Sequence, residues 1–265
     1  MQLIGLQFTP TWEDKSASQA TIERLIEDVA PSPGDLIVLP EMGDTGWSFN
    51  HQATTTQDTL QWAQTLSKRL GIFLQVGYSE LGPDQKGRNC TAIAHPDGSL
   101  GPVYRKMHPF SFGSEPEHFT PGEEVVIDHA GPIVICPTIC YDLRFPELYR
   151  HGAMAGSQVF SVIASWPSPR AAHWRALSIA RAIENQAYVI AVNRIGRDPF
   201  FAYSGGSLIV SPHGEVLDER GDEEGPVIAE LNLDDLQEWR SRFPALEDLR
   251  RDFFGDVELR SPDPS

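Results

Sequence analysis

The stretch VICPTICYDLRFPEL, residues 134–148, joins a segment typical of a buried strand to one typical of a helix. Its first residues continue a β-branched run that begins at Ile133, and a helix-like segment, 144–156, follows the cysteine-containing turn. Further strand-like apolar runs occupy residues 3–8, 35–39, 72–78 and 159–163, and helical spacing marks 16–29 and 57–70. Alternation of strands and helices predicts an α/β fold built from packed layers.

Two later segments share a strand–turn–strand pattern. They are NCTAIAHPDGSLGPVYRK, residues 89–106, and GGSLIVSPHGEVLDERGD, residues 205–222. Each contains a Pro-x-Gly turn, which favours positive φ at Gly98 and Gly214 and therefore predicts a β-hairpin. The likeness is compatible with two sheets built by similar halves, and equally with coincidence, because such hairpins are common.

Composition and charge restrict the classes of function. The chain of 265 residues is 40% hydrophobic and has no internal linker, so we expect one domain over 1–255 and a tail at 256–265 that ends in the disordered-looking SPDPS. The formal net charge of −16 disfavours nucleic acid and anionic membranes as partners. Three cysteines are a sparse, odd set that argues for a reducing compartment. Without a leader-like start or a membrane-length apolar run, we expect a cytoplasmic protein.

The opening stretch holds two of the three cysteines. Cys136 stands inside the predicted strand, where a small apolar thiol usually belongs to the core. Cys140 stands at the strand-to-helix turn, where a side chain is raised above the sheet edge and neighbouring backbone N–H groups point outward. That position suits an exposed nucleophile with an oxyanion hole, although many intracellular cysteines at such places are inert.

A thiol that attacks a carbonyl or nitrile carbon needs a base for its proton and a donor for the developing negative charge. The histidine candidates lie in no recognisable cysteine-protease context; they are His108, His118 and His173. Glu41 follows an apolar strand and a proline, at the edge where α/β sheets place their sites. Lys106 ends the first hairpin. Taken alone, each of these two residues is also compatible with an ordinary loop or surface charge.

Three motifs together resemble the carbon-nitrogen hydrolase family, also called the nitrilase superfamily. They are LPEMGDTGW at 39–47, YRKMHPF at 104–110 and ICYDLRFPELYR at 139–150, within a resemblance that runs from residue 3 to about residue 254. The resemblance implies a four-layer α-β-β-α sandwich with two central sheets. It also implies a triad in which Glu41 is the general base, Lys106 stabilises the tetrahedral oxyanion and Cys140 is the nucleophile. No metal or organic cofactor is expected.

The same resemblance implies a second glutamate. The family places it four residues before the aromatic residue of an aromatic-x-Pro-Gly turn, a pattern that the segment SEPEHFTPGEE matches. Counting back from Phe119 indicates Glu115, with the nearby Glu117 as the alternative. The backbone N–H of Tyr141 is expected to join the lysine at the oxyanion.

Within the family, the segments at 140–148 and 165–196 resemble the omega-amidase branch, which hydrolyses the terminal amide of 2-oxo acid monoamides such as 2-oxoglutaramate and 2-oxosuccinamate. Deaminated glutathione amidases carry similar motifs and are the alternative. Nitrile cleavage is disfavoured, because nitrilases place Trp-Glu after the cysteine where this chain has Tyr141 and Asp142. A non-enzymatic scaffold of the same fold is a further alternative, but it has no chemical need for the complete triad. The expected partner is therefore a small amide.

Three residues near the nucleophile are candidates for substrate binding. Arg144 could pair with a substrate carboxylate, or instead with Asp142 or Glu147. Trp166 could line the pocket or simply pack in the core. Tyr141, next to the nucleophile, is the third candidate.

A later helical segment, AAHWRALSIARAIENQA at 171–187, carries an apolar stripe. The stripe consists of Ala172, Ala176, Ile179 and Ile183. It predicts a helix that belongs to the core or to a dimer interface. Together with the family resemblance, it predicts a homodimer or a larger homo-oligomer.

Overall fold

Strands and helices alternate along the chain in the computed structural model, which describes residues 1–55 and 58–262. The strands in these ranges are β1 (Gln2–Gln7), β2 (Leu36–Val38), β3 (Phe73–Leu81), β4 (Gly87–Ala94), β5 (Tyr104–Arg105), β6 (Glu124–Val126), β7 (Asp128–Ala130), β8 (Ile133–Ile139), β9 (Val159–Ala164), β10 (Tyr188–Asn193), β11 (Ile195–Arg197), β12 (Ala202–Ser204), β13 (Leu208–Val210), β14 (Val216–Glu219), β15 (Gly225–Glu230) and β16 (Glu258–Arg260). The α-helices there are α1 (Lys15–Val29), α2 (His51–Thr54), α3 (Asp58–Leu70), α4 (Glu115–His118), α5 (Pro146–Met154), α6 (Ala171–Asn185) and α7 (Leu233–Arg242). Residue 57, at which the second predicted helix begins, lies outside the described residues.

Two six-stranded sheets form the centre of the molecule. Their strand orders are β15-β1-β2-β3-β4-β5 and β14-β13-β10-β9-β8-β7. In each sheet three neighbouring strands are parallel, β1 to β3 in the first and β8 to β10 in the second. Antiparallel strands flank them on both sides. The parallel strands are runs of Val, Ile and Leu, as expected for strands that are covered on both faces.

The two predicted hairpins occupy corresponding places in the two sheets. Strands β4 and β5 follow the last parallel strand of the first sheet, and β13 and β14 follow the last parallel strand of the second. Gly98 and Gly214 adopt the expected left-handed conformation, with φ of 88° and 86°. The chain thus builds two sheets with the same order of elements, as two similar halves would.

The two sheets pack face to face, and helices cover their outer faces. Gly5 and Gly77 permit the close approach, because an added Cβ would lie 2.7 Å from Val192 and from Ile163, respectively. The helix side chains buried on the sheets are Ile22, Leu25 and Ile26 of α1, Ala63 and Leu66 of α3, Leu148 and Tyr149 of α5, and Trp174 and Ala182 of α6. The predicted four-layer α-β-β-α sandwich is confirmed.

Most of the apolar stripe predicted on α6 faces away from the core, and only Ile179 packs against it. Ala172 and Ala176 are exposed, and Ile183 is 52% exposed. The buried face instead carries Trp174, Ser178, Arg181, Ala182 and Asn185. Arg181 enters the core because its guanidinium donates to the carbonyl of Leu143 at 2.7 and 3.1 Å. The helix therefore belongs to the core, as one of the two interpretations predicted, but through the face beside the stripe; the homo-oligomer interpretation stays a prediction.

The C-terminal segment returns to the body of the protein. Strand β16 pairs in parallel with β6. Residues 263–265, the end of the tail expected to be disordered, lie outside the described residues, and the domain boundary at 255 stays a prediction. No helix within 1–55 and 58–262 is long and apolar enough to cross a membrane. The expected cytoplasmic location is untested and stays a prediction.

Candidate active site

The carboxyl ends of the central strands of both sheets lie together at one edge of the sandwich, where α/β sheets place their sites. Glu41 follows β2, Cys140 follows β8 and Ser165 follows β9. Lys106 comes directly after β5, and Glu115 begins α4. The structure brings these five residues into one cluster.

Lys106 lies between two buried carboxylates. Its Nζ donates to Glu41 Oε1 at 2.8 Å and to Glu115 Oε1 and Oε2 at 3.0 and 2.8 Å. Both glutamates are 0% exposed and the lysine is 2% exposed. Because buried charges are stable only when they are paired and hydrogen bonded, the three side chains stabilise one another.

The charge of Lys106 is fixed by its neighbours. Burial alone would lower the pKa of the ammonium group, but the charges of Glu115 and Glu41 outweigh burial and raise the pKa well above its usual range. The lysine is therefore a permanent cation at neutral pH. A permanent cation suits the stabilisation of a developing oxyanion better than it suits proton transfer.

Asn89, which the sequence analysis missed, completes the cluster. Its Nδ2 donates to Glu41 Oε1 at 2.8 Å and to Glu115 Oε1 at 2.9 Å, so one buried amide joins the two carboxylates. The backbone N–H of Ser165 donates to Glu41 Oε2 at 2.8 Å. Both oxygens of Glu41 are thus held in place before any ligand binds.

Cys140 is buried rather than exposed, which corrects the expectation from the sequence. It is 6% exposed and begins a 3-10 turn over Cys140–Arg144, with a left-handed φ of 51°. Burial, and then the charge of Glu41, raise the pKa of the thiol well above its usual range, against an opposing effect of Lys106. The thiol is therefore neutral at physiological pH and needs a base when it attacks.

Strained backbone surrounds the cluster. Met42, which follows Glu41, has φ of 46°, and Ser114, which precedes Glu115, has φ of 59°. With Cys140, three non-glycine residues at or beside candidate catalytic positions adopt the left-handed region. Each such residue costs about 1–3 kcal/mol and persists only where the surrounding structure enforces it.

Asp142 links the turn that carries Cys140 to the segment that carries Lys106 through hydrogen bonds. Its carboxylate accepts from the Tyr104 hydroxyl at 2.7 Å, from the N–H of Ile139 at 3.1 Å and from the N–H of His108 at 3.0 Å. His108 Nδ1 lies 2.8 Å from the same carboxylate. Asp142 is therefore occupied within the fold, which leaves it unavailable to Arg144.

A narrow pocket gives access to the cluster. It contains about 330 Å³ of empty space, part of which is open to solvent. Its lining residues are Glu41, Trp47, Lys106, Phe110, Cys140, Tyr141, Arg144, Ser165, Trp166, Pro167, Arg170 and Phe201. The three candidates for substrate binding all line it, whereas Trp47, Phe110, Arg170 and Phe201 were missed. The little free space beside the cluster restricts a ligand there to a small molecule.

Arg144 lies against the aromatic wall of the pocket. Its guanidinium is 4.8 Å from the Trp166 ring centroid and 3.3–3.4 Å from His173 Nδ1. In the part of the chain that the structure describes, no carboxylate lies within 4 Å of this cation, so neither of the alternative ion pairs forms. The charge of Arg144 is thus available to a ligand.

Metal-binding groups are absent from the described ranges, 1–55 and 58–262, where no three His, Cys, Asp or Glu side chains are arranged to hold an ion. The carboxylates of the cluster are occupied by Lys106 and Asn89. The expectation that no cofactor takes part stays a prediction.

Fold and site together define a class. A buried thiol, a carboxylate and a permanent cation line one small pocket, and these are the groups that covalent catalysis by a cysteine needs. Residues 5–241 match the family model for carbon-nitrogen hydrolases. The chain belongs to the carbon-nitrogen hydrolase family, as its motifs predicted.

Individual relatives extend the comparison. The chain is 34% identical to the 2-oxoglutaramate amidase of Bacillus subtilis, over 94% of this chain and 97% of that protein. It is 33% identical to the omega-amidase YafV of Escherichia coli K12, over 94% and 96%. The crystal structure of XC1258 from Xanthomonas campestris, a CN-hydrolase superfamily protein with an arsenic adduct in the active site, superposes with a TM-score of 0.87 at 32% identity and covers 94% and 97%. These likenesses confirm the predicted resemblance to the omega-amidase branch.

Proposed function

We propose that this chain hydrolyses the terminal amide of a short 2-oxo acid monoamide, such as 2-oxoglutaramate or 2-oxosuccinamate. The observation that carries the proposal is Arg144, a cation without a carboxylate partner among the described residues, in the same narrow pocket as Cys140. The names of the two relatives support the same activity. At a net charge of −16 an anionic substrate needs such a local cation, because the field of the whole protein repels it.

The proposed reaction has two halves. In the first, Cys140 Sγ attacks the amide carbon while Glu41 takes the thiol proton; the C–N bond then breaks, Glu41 returns the proton to the leaving nitrogen, and ammonia departs from a thioester. In the second half, water attacks the thioester carbon while Glu41 takes a water proton. The C–S bond breaks, the proton returns to sulfur, and the carboxylic acid leaves. One water is consumed for each ammonia released.

Oxyanion stabilisation falls to Lys106 and the backbone N–H of Tyr141. Hydrogen bonds to three carboxylate oxygens hold the ammonium charge of the lysine at the site, and one of its N–H groups turns from Glu115 to the substrate oxygen as charge develops there. Glu115 accepts two of those bonds and acts as a positioning residue in this proposal. Glu41 accepts the third and also serves as the base.

A pair of variants distinguishes the two candidates for the second glutamate. Glu115 is buried against Lys106, whereas Glu117 is exposed. We expect Glu115→Gln to lower kcat by about 100-fold or more, because the lysine loses a charged partner. Glu117→Gln should leave kcat within about two-fold of wild type. Steady-state ammonia release measures both, and equal losses in the two variants would contradict the assignment of Glu115.

The substrate assignment is tested at Arg144. Replacement by lysine keeps the charge but removes the planar fork, so KM for 2-oxosuccinamate should rise by the equivalent of about 1–3 kcal/mol with a smaller change in kcat. Arg150→Lys is the matched control, because Arg150 donates to the carbonyl of Glu184 and does not line the pocket. KM should be unchanged in this control.

A panel of amides decides between the alternatives. If deaminated glutathione or uncharged amides are hydrolysed faster than 2-oxosuccinamate, and Arg144→Lys leaves KM unchanged, the omega-amidase proposal is wrong while the amidase chemistry stands. If the folded chain releases ammonia from no amide in the panel, the scaffold alternative gains support.

We further propose a homodimer or larger homo-oligomer formed through the exposed stripe of α6. Ile183 is 52% exposed there, and Ile179 beside it is half-buried. Ile183→Glu should dissociate the assembly, because it places a charge in an apolar contact. Phe253→Glu, at an exposed aromatic residue elsewhere, is the control. Light scattering that shows a wild-type monomer of 29.4 kDa at micromolar concentration would contradict the proposal.

A further inference from the structure

A second arginine, Arg170, lines the pocket and has no role in the mechanism above. Its guanidinium carbon lies 5.2 Å from the Phe110 ring centroid and 5.6 Å from that of Phe112. Nη2 is buried and has no hydrogen-bond partner in the part of the chain that the structure describes. Among residues 1–55 and 58–262, no carboxylate lies within 4 Å of this group. A buried guanidinium nitrogen without an acceptor is costly, so a ligand that supplies one is favoured.

The indole of Trp166 contacts both Arg170 and Arg144. The Trp166 ring lies under the Arg144 guanidinium, at 4.8 Å, and its Nε1 donates to the backbone carbonyl of Arg170 at 2.8 Å. Aromatic rings therefore hold both cations in the lining of the same pocket. Neither cation has a carboxylate partner among the described residues, so the charge of each is available to a ligand in the pocket.

The pocket offers no matching anion. Glu41 is the only carboxylate among the residues that line it in the described part of the chain. Its two oxygens are already occupied by Lys106 and Asn89 and by the N–H of Ser165. A substrate with an ammonium group at its far end would meet two cations there and no acceptor of opposite charge.

We propose that Arg170 is a specificity-determining residue that, together with Arg144, selects a 2-oxo acid amide and rejects the corresponding 2-amino acid amide. This inference rests on the proposed function and adds how the pocket would distinguish 2-oxo acid amides from 2-amino acid amides. Arg144 holds the substrate carboxylate, and the Arg170 guanidinium donates to the 2-oxo oxygen. In asparagine or glutamine an ammonium group replaces that oxygen, so the hydrogen bond is lost and like charges repel.

Four amides of similar size separate the contributions of the 2-oxo group, the amino group and the carboxylate to turnover. They are 2-oxosuccinamate, succinamate without the oxo group, asparagine with an amino group, and butyramide without a carboxylate. The variant Arg170→Met keeps an extended side chain against the aromatic rings but removes charge and donors, and Arg170→Lys keeps the charge alone. Arg175→Met is the matched control, because Arg175 is exposed and pairs with Glu219.

In Arg170→Met we expect kcat/KM for 2-oxosuccinamate to fall by about 10- to 100-fold, the worth of a hydrogen bond to a charged group. Succinamate should lose less, butyramide should stay within about two-fold, and the preference for 2-oxosuccinamate over asparagine should shrink. Arg170→Lys should lie between wild type and Arg170→Met, and Arg175→Met should match wild type. Calorimetric binding of 2-oxosuccinamate and succinamate to Cys140→Ala, with and without Arg170→Met, should show the same difference without turnover.

Three results would overturn the inference. A parallel loss on all four amides would show that Arg170 only supports the fold of the site. A wild-type preference for 2-oxosuccinamate that persists in Arg170→Met would show that Arg170 does not set this preference. A wild-type enzyme without any preference for 2-oxosuccinamate over succinamate would show that the 2-oxo group is not recognised. The proposed function fails separately, if butyramide is hydrolysed faster than 2-oxosuccinamate and Arg144→Lys leaves KM unchanged.

Discussion

Cys140→Ala is expected to lower amide hydrolysis by about 10,000-fold or more while the protein stays folded. In the proposed mechanism the thiol forms the covalent bond to the substrate, which the methyl group of alanine cannot do. The variant removes one buried sulfur atom, which should lower the free energy of unfolding by about 1 kcal/mol. Ammonia release measures the activity, and thermal unfolding measures the stability.

The other two cysteines are the controls for this result. Cys90 lies in β4 and Cys136 in β8, and both are 0% exposed, outside the pocket lining. Cys90→Ala and Cys136→Ala should retain activity for as long as they are folded. A folded variant of either residue that has lost all activity, or near wild-type turnover in Cys140→Ala, would refute the assignment of the nucleophile.

Lys106→Met is expected to have two large and separable effects. Turnover should fall by about 1,000-fold, because the proposed oxyanion donor is gone. Stability should fall by about 3–5 kcal/mol, because Glu41 and Glu115 are left as unpaired buried carboxylates. Retention of more than about a tenth of the rate would contradict the oxyanion role.

A double variant separates these effects. Glu115→Gln added to Lys106→Met removes one of the two unpaired charges, so it should restore part of the lost stability. It should restore none of the activity, because no cation returns to the oxyanion position. Recovery of both properties together would show that the activity loss in Lys106→Met came from unfolding.

The sequence predicted the layered fold and the motif residues, but not how the hairpin aligns its strands. Ala94 lies opposite Leu100 near the turn, and that register would place Arg88 opposite Lys106. Further out Cys90 lies opposite Arg105, so the register has shifted by one residue and Asn89 bonds to Lys106 instead. A one-residue shift moves the side chains of one strand to the opposite face of the sheet. No local sequence pattern reveals such a shift.

The errors of the sequence analysis have a common physical cause. Cys140 was expected to be exposed because its turn was considered on one sheet alone, whereas Glu41 from the other sheet lies close enough to raise its pKa. Arg170 escaped notice because its importance depends on Phe110 and Phe112, which are distant in sequence. Contacts between the two sheets and their loops set the surroundings of both Cys140 and Arg170. Such contacts leave no periodic signal along the chain.

The left-handed conformation of Cys140 has a consequence for the history of this fold. A glycine at that position would relieve about 1–3 kcal/mol of backbone strain, against about 1 kcal/mol lost with the buried sulfur, so the conformation of the turn does not itself require a cysteine. A descendant that had become a scaffold would therefore drift towards glycine or asparagine at this residue before its packing changed. The amino acid at this one position is therefore expected to distinguish catalytic members of the fold from scaffolds, and this chain has a cysteine there.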